Sequence, residues 1–197
     1  MENKKMKNVA NSFLVAVKVL KGAFLAGAIV CAVFALLVLI FGKDMIANYS
    51  LTLGELTIYF NDTLSVNEKL VIAQIVVELV ITGVLMLGIS FAMKILRNIV
   101  EPIKEGRPFE DSITKNLRKL AWTSLVIGGL SEVIKLVGSI FTNATFNFEE
   151  LINASYVESM EYTFEIDFTF VAVFCVIMFL SFIFQYGQQL QNLLKKA

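Results

Sequence analysis

GAFLAGAIVCAVFALLVLIFG, residues 22–42, carries no charged side chain over its whole length. Wound as a helix at 1.5 Å per residue, a run of this length covers the ~30 Å hydrocarbon core of a bilayer. The stretch therefore decides the solvent of the fold, which is lipid. Lys4, Lys5, Lys7, Lys18 and Lys21 precede it, in the manner of the basic segment that opens a signal peptide. The apolar run exceeds the roughly 7–15 residues of a signal-peptide core, and no convincing small-residue cleavage site follows, so it reads as an uncleaved anchor.

Three further runs lie downstream. Residues 70–93 are interrupted only by Gln74, Glu78 and Ser90; residues 120–141 contain Glu132 and Lys135 and are the least apolar; residues 168–186 are uncharged and rich in phenylalanine. The whole chain is 57% hydrophobic with a mean hydropathy of +0.73, more apolar than a soluble core requires. A backbone that cannot reach water must satisfy its own hydrogen bonds, and these lengths suit helices rather than ten-residue barrel strands. The expected fold is an all-α membrane protein, a single four-span domain over residues 1–197, with outer loops 43–69 and 142–167 and a cytoplasmic loop 94–119.

Orientation follows from the distribution of Lys and Arg, since net charge is zero. The N-terminal segment, the 94–119 loop (Lys94, Arg97, Lys104, Arg107, Lys115, Arg118, Lys119) and the tail (Lys195, Lys196) are basic. The other two loops hold only Lys43 and Lys69, and residues 142–167 are acidic through Glu149, Glu150, Glu158, Glu161, Glu165 and Asp167. Both termini are thus expected inside. Trp122 and Tyr186 fit an interfacial aromatic belt. Outside, the alternation Phe164, Ile166, Phe168, Phe170 and the β-forming residues 51–60 predict a small extracellular β element, unless Phe168 and Phe170 simply open the fourth helix.

Chemistry is sparse. The chain has no histidine, which removes the commonest general base and metal ligand, and Cys31 and Cys175 both sit in apolar runs. No phosphate-cradling glycine loop, zinc-spaced cysteine set or nucleophile elbow occurs. No catalytic residue, metal or cofactor is expected. Two sets of residues remain. Charges inside a span are expensive, about 2.5–3.5 kcal/mol at the helix centre, so Gln74, Glu78, Glu132 and Lys135 are candidates for an intramembrane polar cluster that binds an ion or senses protons. Depths counted from the span starts put Glu78 level with Glu132. The plainer reading is structural, with a Glu132–Lys135 pair on one helix face and Lys135 snorkelling outward. The second set is the cytoplasmic loop, where Arg97, Lys104, Arg107, Phe109, Lys115 and Arg118 offer a docking surface with a basic face. Pro102 is expected to end the second helix, and Asp111 or Ser112 to cap the third.

The stretches GRPFEDSITKNLRKLAW (106–122) and FEIDFTFVAVFCVIMFLSFIFQYGQQLQ (164–191) resemble a bacterial membrane family, domain of unknown function 2975. The resemblance rests on a G-x-P-F turn (Gly106, Pro108, Phe109), a Leu-Arg pair (Leu117, Arg118), and a Phe-x-x-Gly-x-x-Leu-Gln ending (Phe184, Gly187, Leu190, Gln191). It covers the second half of the chain well and the first half only in topology. It implies a four-span protein of the bacterial cytoplasmic membrane with no established activity, whose genes often lie beside a small helix-turn-helix regulator. The expected function is therefore a non-enzymatic sensory or regulatory partner of such a DNA-binding protein, without direct nucleic-acid binding and with room for a homo-oligomer. The alternatives are a small transporter or channel component using the Glu/Lys cluster, and a toxin immunity protein using the acidic outer loops. The plainer alternative for the basic loop is attraction to anionic lipid.

Overall fold

The computed structural model describes residues 2–46, 50–53, 56–59, 68–145 and 166–194, with side chains over 8–42, 69–140 and 166–194. The elements are α1 (Glu2–Ile46), β1 (Ser50–Leu53), β2 (Leu56–Tyr59), α2 (Glu68–Lys104), α3 (Asp111–Thr145) and α4 (Thr169–Leu194). Among the described residues, four helices contain stretches long and apolar enough to cross a membrane: Asn8–Gly42, Lys69–Lys104, Asp111–Ile140 and Thr169–Leu194, the third being the least apolar. The fold is that of a helical, multi-pass membrane protein.

The helices outrun their apolar cores. α1 has 45 residues, α2 37 and α3 35. Lys, Arg, Glu and Leu at the flanks are good helix formers, so leaving hydrocarbon gives the backbone no reason to unwind. The expected 94–119 loop consequently contracts to the six residues 105–110. Pro102 does not end α2, which runs on to Lys104. The stop comes from Gly106, whose φ of 82° is the left-handed conformation that closes a helix. Gly106 N donates to Ile103 O at 3.0 Å and Arg107 N to Pro102 O at 2.9 Å, the paired bonds of a Schellman ending. At the start of α3, the cap position expected for Asp111 or Ser112 is taken by Glu110. Ile113 N donates to Glu110 O at 3.0 Å, and Ser112 Oγ to Glu110 Oε1 at 2.9 Å. Asp111 is the first helical residue, where a carboxylate favours the helix dipole.

Two compact units divide the chain. The first comprises Met1–Ala28, Val84–Glu132 and Ile166–Ala197, and holds all of α4. Its core is Ile95, Ile99, Ile113 and Leu117, with Ile103, Leu120, Ile177 and Phe184 packed against it. Ser90 Oγ on α2 reaches Lys21 O on α1 at 3.2 Å. The second unit comprises Ile29–Gly83 and Val133–Glu165. In it Val71 is buried, Ile72 packs on Gly42, and β1 and β2 pair antiparallel with Ser50 opposite Tyr59 and Leu53 opposite Leu56.

The strand expected from alternation at 164–170 is replaced, where described, by an irregular approach and the first residues of α4. Asp167 Oδ1 accepts the Thr169 N–H at 2.8 Å, an Asx turn that launches the helix and overrides the two-residue period. Residues 163–165, most of the acidic 142–167 stretch and the tail lysines Lys195 and Lys196 lie outside the described residues.

Candidate functional site at the α2–α3 turn

The turn at 105–110 is bound to the end of α4 by side chains. Phe109 lies against Gly187 so closely that a Cβ there would overlap its ring, and its centroid is 6.1 Å from that of Phe184. A glycine is required at 187 by this approach. Gln188, buried on α4, donates through Nε2 to Glu110 O and to Thr114 Oγ1, both at 2.8 Å. Ser181 Oγ, fully buried, donates to Thr114 O at 3.5 Å. Each amide bond of this kind contributes about 1 kcal/mol net, and more is lost when a buried partner is orphaned. Phe109 of the turn thus meets both Phe184 and Gly187 of α4.

From this end α3 and α4 run antiparallel. Arg118 Nη2 donates to Gln185 Oε1 at 2.7 Å and its guanidinium stands 5.9 Å from the Phe182 ring centroid. Trp122 and Phe174 meet at 5.2 Å, Phe170 packs on Gly128, and Asp167 N donates to Glu132 Oε2 at 3.3 Å. The apolar part of α4 is therefore matched by α3 residues of about 114–132, earlier in α3 than the 120–141 that hydropathy selects.

The charges of the expected docking surface sort into two groups. Arg97 pairs with Glu101 at 3.4 Å, and Arg107 pairs with Glu105 and, at 2.7 Å, with Glu110. The hydrogen bond to Glu105, then the charge of Glu110, raise the Arg107 pKa above its already high ordinary value, so it is cationic at any working pH. Residues 101–111 hold four carboxylates (Glu101, Glu105, Glu110, Asp111) against Lys104 and Arg107. These turn residues are thus net acidic, and the basic character expected of the wider 94–119 stretch lies to either side of them. The positive charge lies on the first turns of α3, where Lys115, Arg118 and Lys119 are exposed and residues 112–122 contain no carboxylate.

Of the expected intramembrane set, the structure joins Gln74 and Glu78: Gln74 Nε2 donates to Glu78 Oε1 at 3.1 Å, one turn apart on α2. A Cβ built on Gly138 would stand 3.4 Å from Glu78 Oε1, so the carboxylate lies alongside that residue of α3. Gly138 is six residues beyond Glu132, ~9 Å along a helix. Glu132 lies beside Asp167, just before α4 begins. Lys135 is exposed on α3. Among the described residues no group of three or more His, Cys, Asp or Glu could hold a metal ion.

Sequence reasoning missed Thr114, Ser181 and Gln188. The signal was present in α4, where Ser181, Gln185 and Gln188 recur at helical spacing within a phenylalanine-rich segment, the pattern of a face turned toward other helices. Comparison with family models, curated proteins and solved structures finds no match to this sequence.

Proposed function

We propose that the chain is a non-enzymatic protein of the bacterial cytoplasmic membrane, with both termini and the 105–110 turn inside, that works by holding a cytoplasmic regulatory protein at this turn. The observation that carries the reading is the bracing of the turn. A connector whose only task is to join two helices needs no buried amide network or ring seated on glycine, and here both hold Phe109 40% exposed beside the charged Glu105, Arg107 and Glu110. A rigid turn that presents an aromatic anchor and alternating charges loses little entropy on binding. The positive-inside distribution supports a cytoplasmic position for this end, and a small β element would then face outward. The resemblance to the four-span bacterial family supports a partner of helix-turn-helix type, a membership that belongs to this proposal.

Co-purification of the full chain from native membranes tests it. A helix-turn-helix protein should be retained by the wild type and lost with Phe109→Ser or Arg107→Glu. Retention of no partner, together with unchanged reporter transcription on deletion of the gene, would overturn the reading.

A further inference from the structure

Lys115, Lys119, Trp122 and Val126 follow one another at steps of four, three and four residues, so they lie along one face of α3. All four are exposed, Trp122 at 57% and Val126 at 65%. Arg118 flanks this face on the side of α4, held by Gln185 and by the Phe182 ring. Phe174 supports Trp122 from α4. Along the helix the surface changes from cationic, through an amphipathic aromatic ring, to wholly apolar within the ~16 Å that separates residue 115 from 126 at 1.5 Å per residue.

This gradient has the polarity of a phospholipid, and the charges decide which kind. Arg97 and Arg107 are neutralised by carboxylates of this chain. For Lys115, Arg118 and Lys119, the one α3 carboxylate before residue 132 is Asp111, a turn before Lys115 and in no ion pair with it, and none occurs on α4 over residues 169–194. Three cations within two helical turns, one of them fixed in place by an amide and a ring, are arranged for an anion supplied from outside. The apolar surface that continues from them makes that anion a lipid headgroup. The guanidinium is the more selective of these donors, because its planar fork matches two phosphate oxygens.

We propose that the α3–α4 face binds an anionic phospholipid, its phosphate held by Lys115, Arg118 and Lys119, its glycerol region beside Trp122, and its acyl chains along Val126 and Phe174. The site is independent of the protein partner proposed above, which involves the turn.

Trp122 is the only tryptophan in the chain, so its fluorescence reports on this site alone. The full chain is reconstituted in vesicles of phosphatidylcholine containing a minority of phosphatidylglycerol, with brominated, quenching acyl chains on one lipid or the other. Brominated phosphatidylglycerol should quench Trp122 beyond its share of the bilayer. Each cation replaced, as Lys115→Gln, Arg118→Gln or Lys119→Gln, should lower that preference roughly fivefold, the ratio corresponding to about 1 kcal/mol per basic residue near an anionic surface. Undiminished quenching by brominated phosphatidylcholine in the variants verifies that Trp122 still faces lipid in a folded chain. Inorganic phosphate added to the wild type should leave the preference intact, and its abolition would assign the site to free phosphate and overturn the proposal. Equal quenching by the two lipids in the wild type, or a preference that survives replacement of all three cations, would also overturn it.

Discussion

The two ends of the α3–α4 contact hold polar groups in opposite ways. At the turn, neutral groups close on one another: Gln188 bonds Glu110 O and Thr114 Oγ1, and Ser181 bonds Thr114 O, all on the inner side of the packed helices. At the other end a carboxylate, Glu132, accepts the backbone N–H of Asp167 at an exposed contact. Amides and hydroxyls can be buried at small cost once paired, whereas an ionised carboxylate is cheapest where it keeps some outside contact. The difference teaches where the rigidity of this protein comes from. It lies in the neutral network and the ring on glycine, and the charges mark boundaries.

The sharpest way to break the turn is to fill the space that Phe109 occupies. Gly187→Val should lower stability by about 1–3 kcal/mol, the usual cost of overpacking, seen as a lower melting temperature in detergent and faster amide exchange over residues 105–118. Phe109→Ala in the same chain should restore part of the loss, because the two residues share one contact and their effects are not additive. Gln188→Ala comes next. It leaves Glu110 O and Thr114 Oγ1 without their donor and should also cost about 1–3 kcal/mol, with the exchange again fastest near the turn. Near-wild-type stability in Gln188→Ala would show that the buried amide is not what fixes this end.

The sequence made the four crossings readable because hydrocarbon imposes a length and an absence of charge that no local preference can mimic. It was less informative about where the helices stop. Lys94, Arg97, Lys115 and Lys119 mark the end of an apolar run, yet they are helix formers, and α2 and α3 continue through them. Pro102 misled for a related reason: it removes one N–H donor, to the carbonyl of residue 98, which alone does not stop a helix, and the decisive residue was Gly106. The docking residues were legible as a list but not as a charge pattern, since a count of Lys and Arg over 94–119 does not show that Arg97 and Arg107 are already paired. Nor could counting from span starts place Glu78 against Gly138. That depends on how far α2 slides along α3, which the packing of side chains decides.

The weaker end supplies the smallest expected effects. Glu132→Gln should change stability by less than ~1 kcal/mol, because the amide oxygen can still accept the Asp167 N–H and the backbone bond survives the loss of charge. Arg97→Gln should do less still. Its pair with Glu101 is solvent-exposed on both sides, 55% and 46%, and 3.4 Å long, which puts its contribution in the 0–1 kcal/mol range, weakened further by salt. The two substitutions together separate the roles of the two regions. If thermal melts show either one costing as much as Gln188→Ala, charge contributes to rigidity as strongly as the neutral network, and the contrast between the ends of α3 fails. If both are near silent, the neutral network at the turn sets the rigidity of this contact, and neither the Glu132 charge nor the Arg97–Glu101 pair is required for the fold.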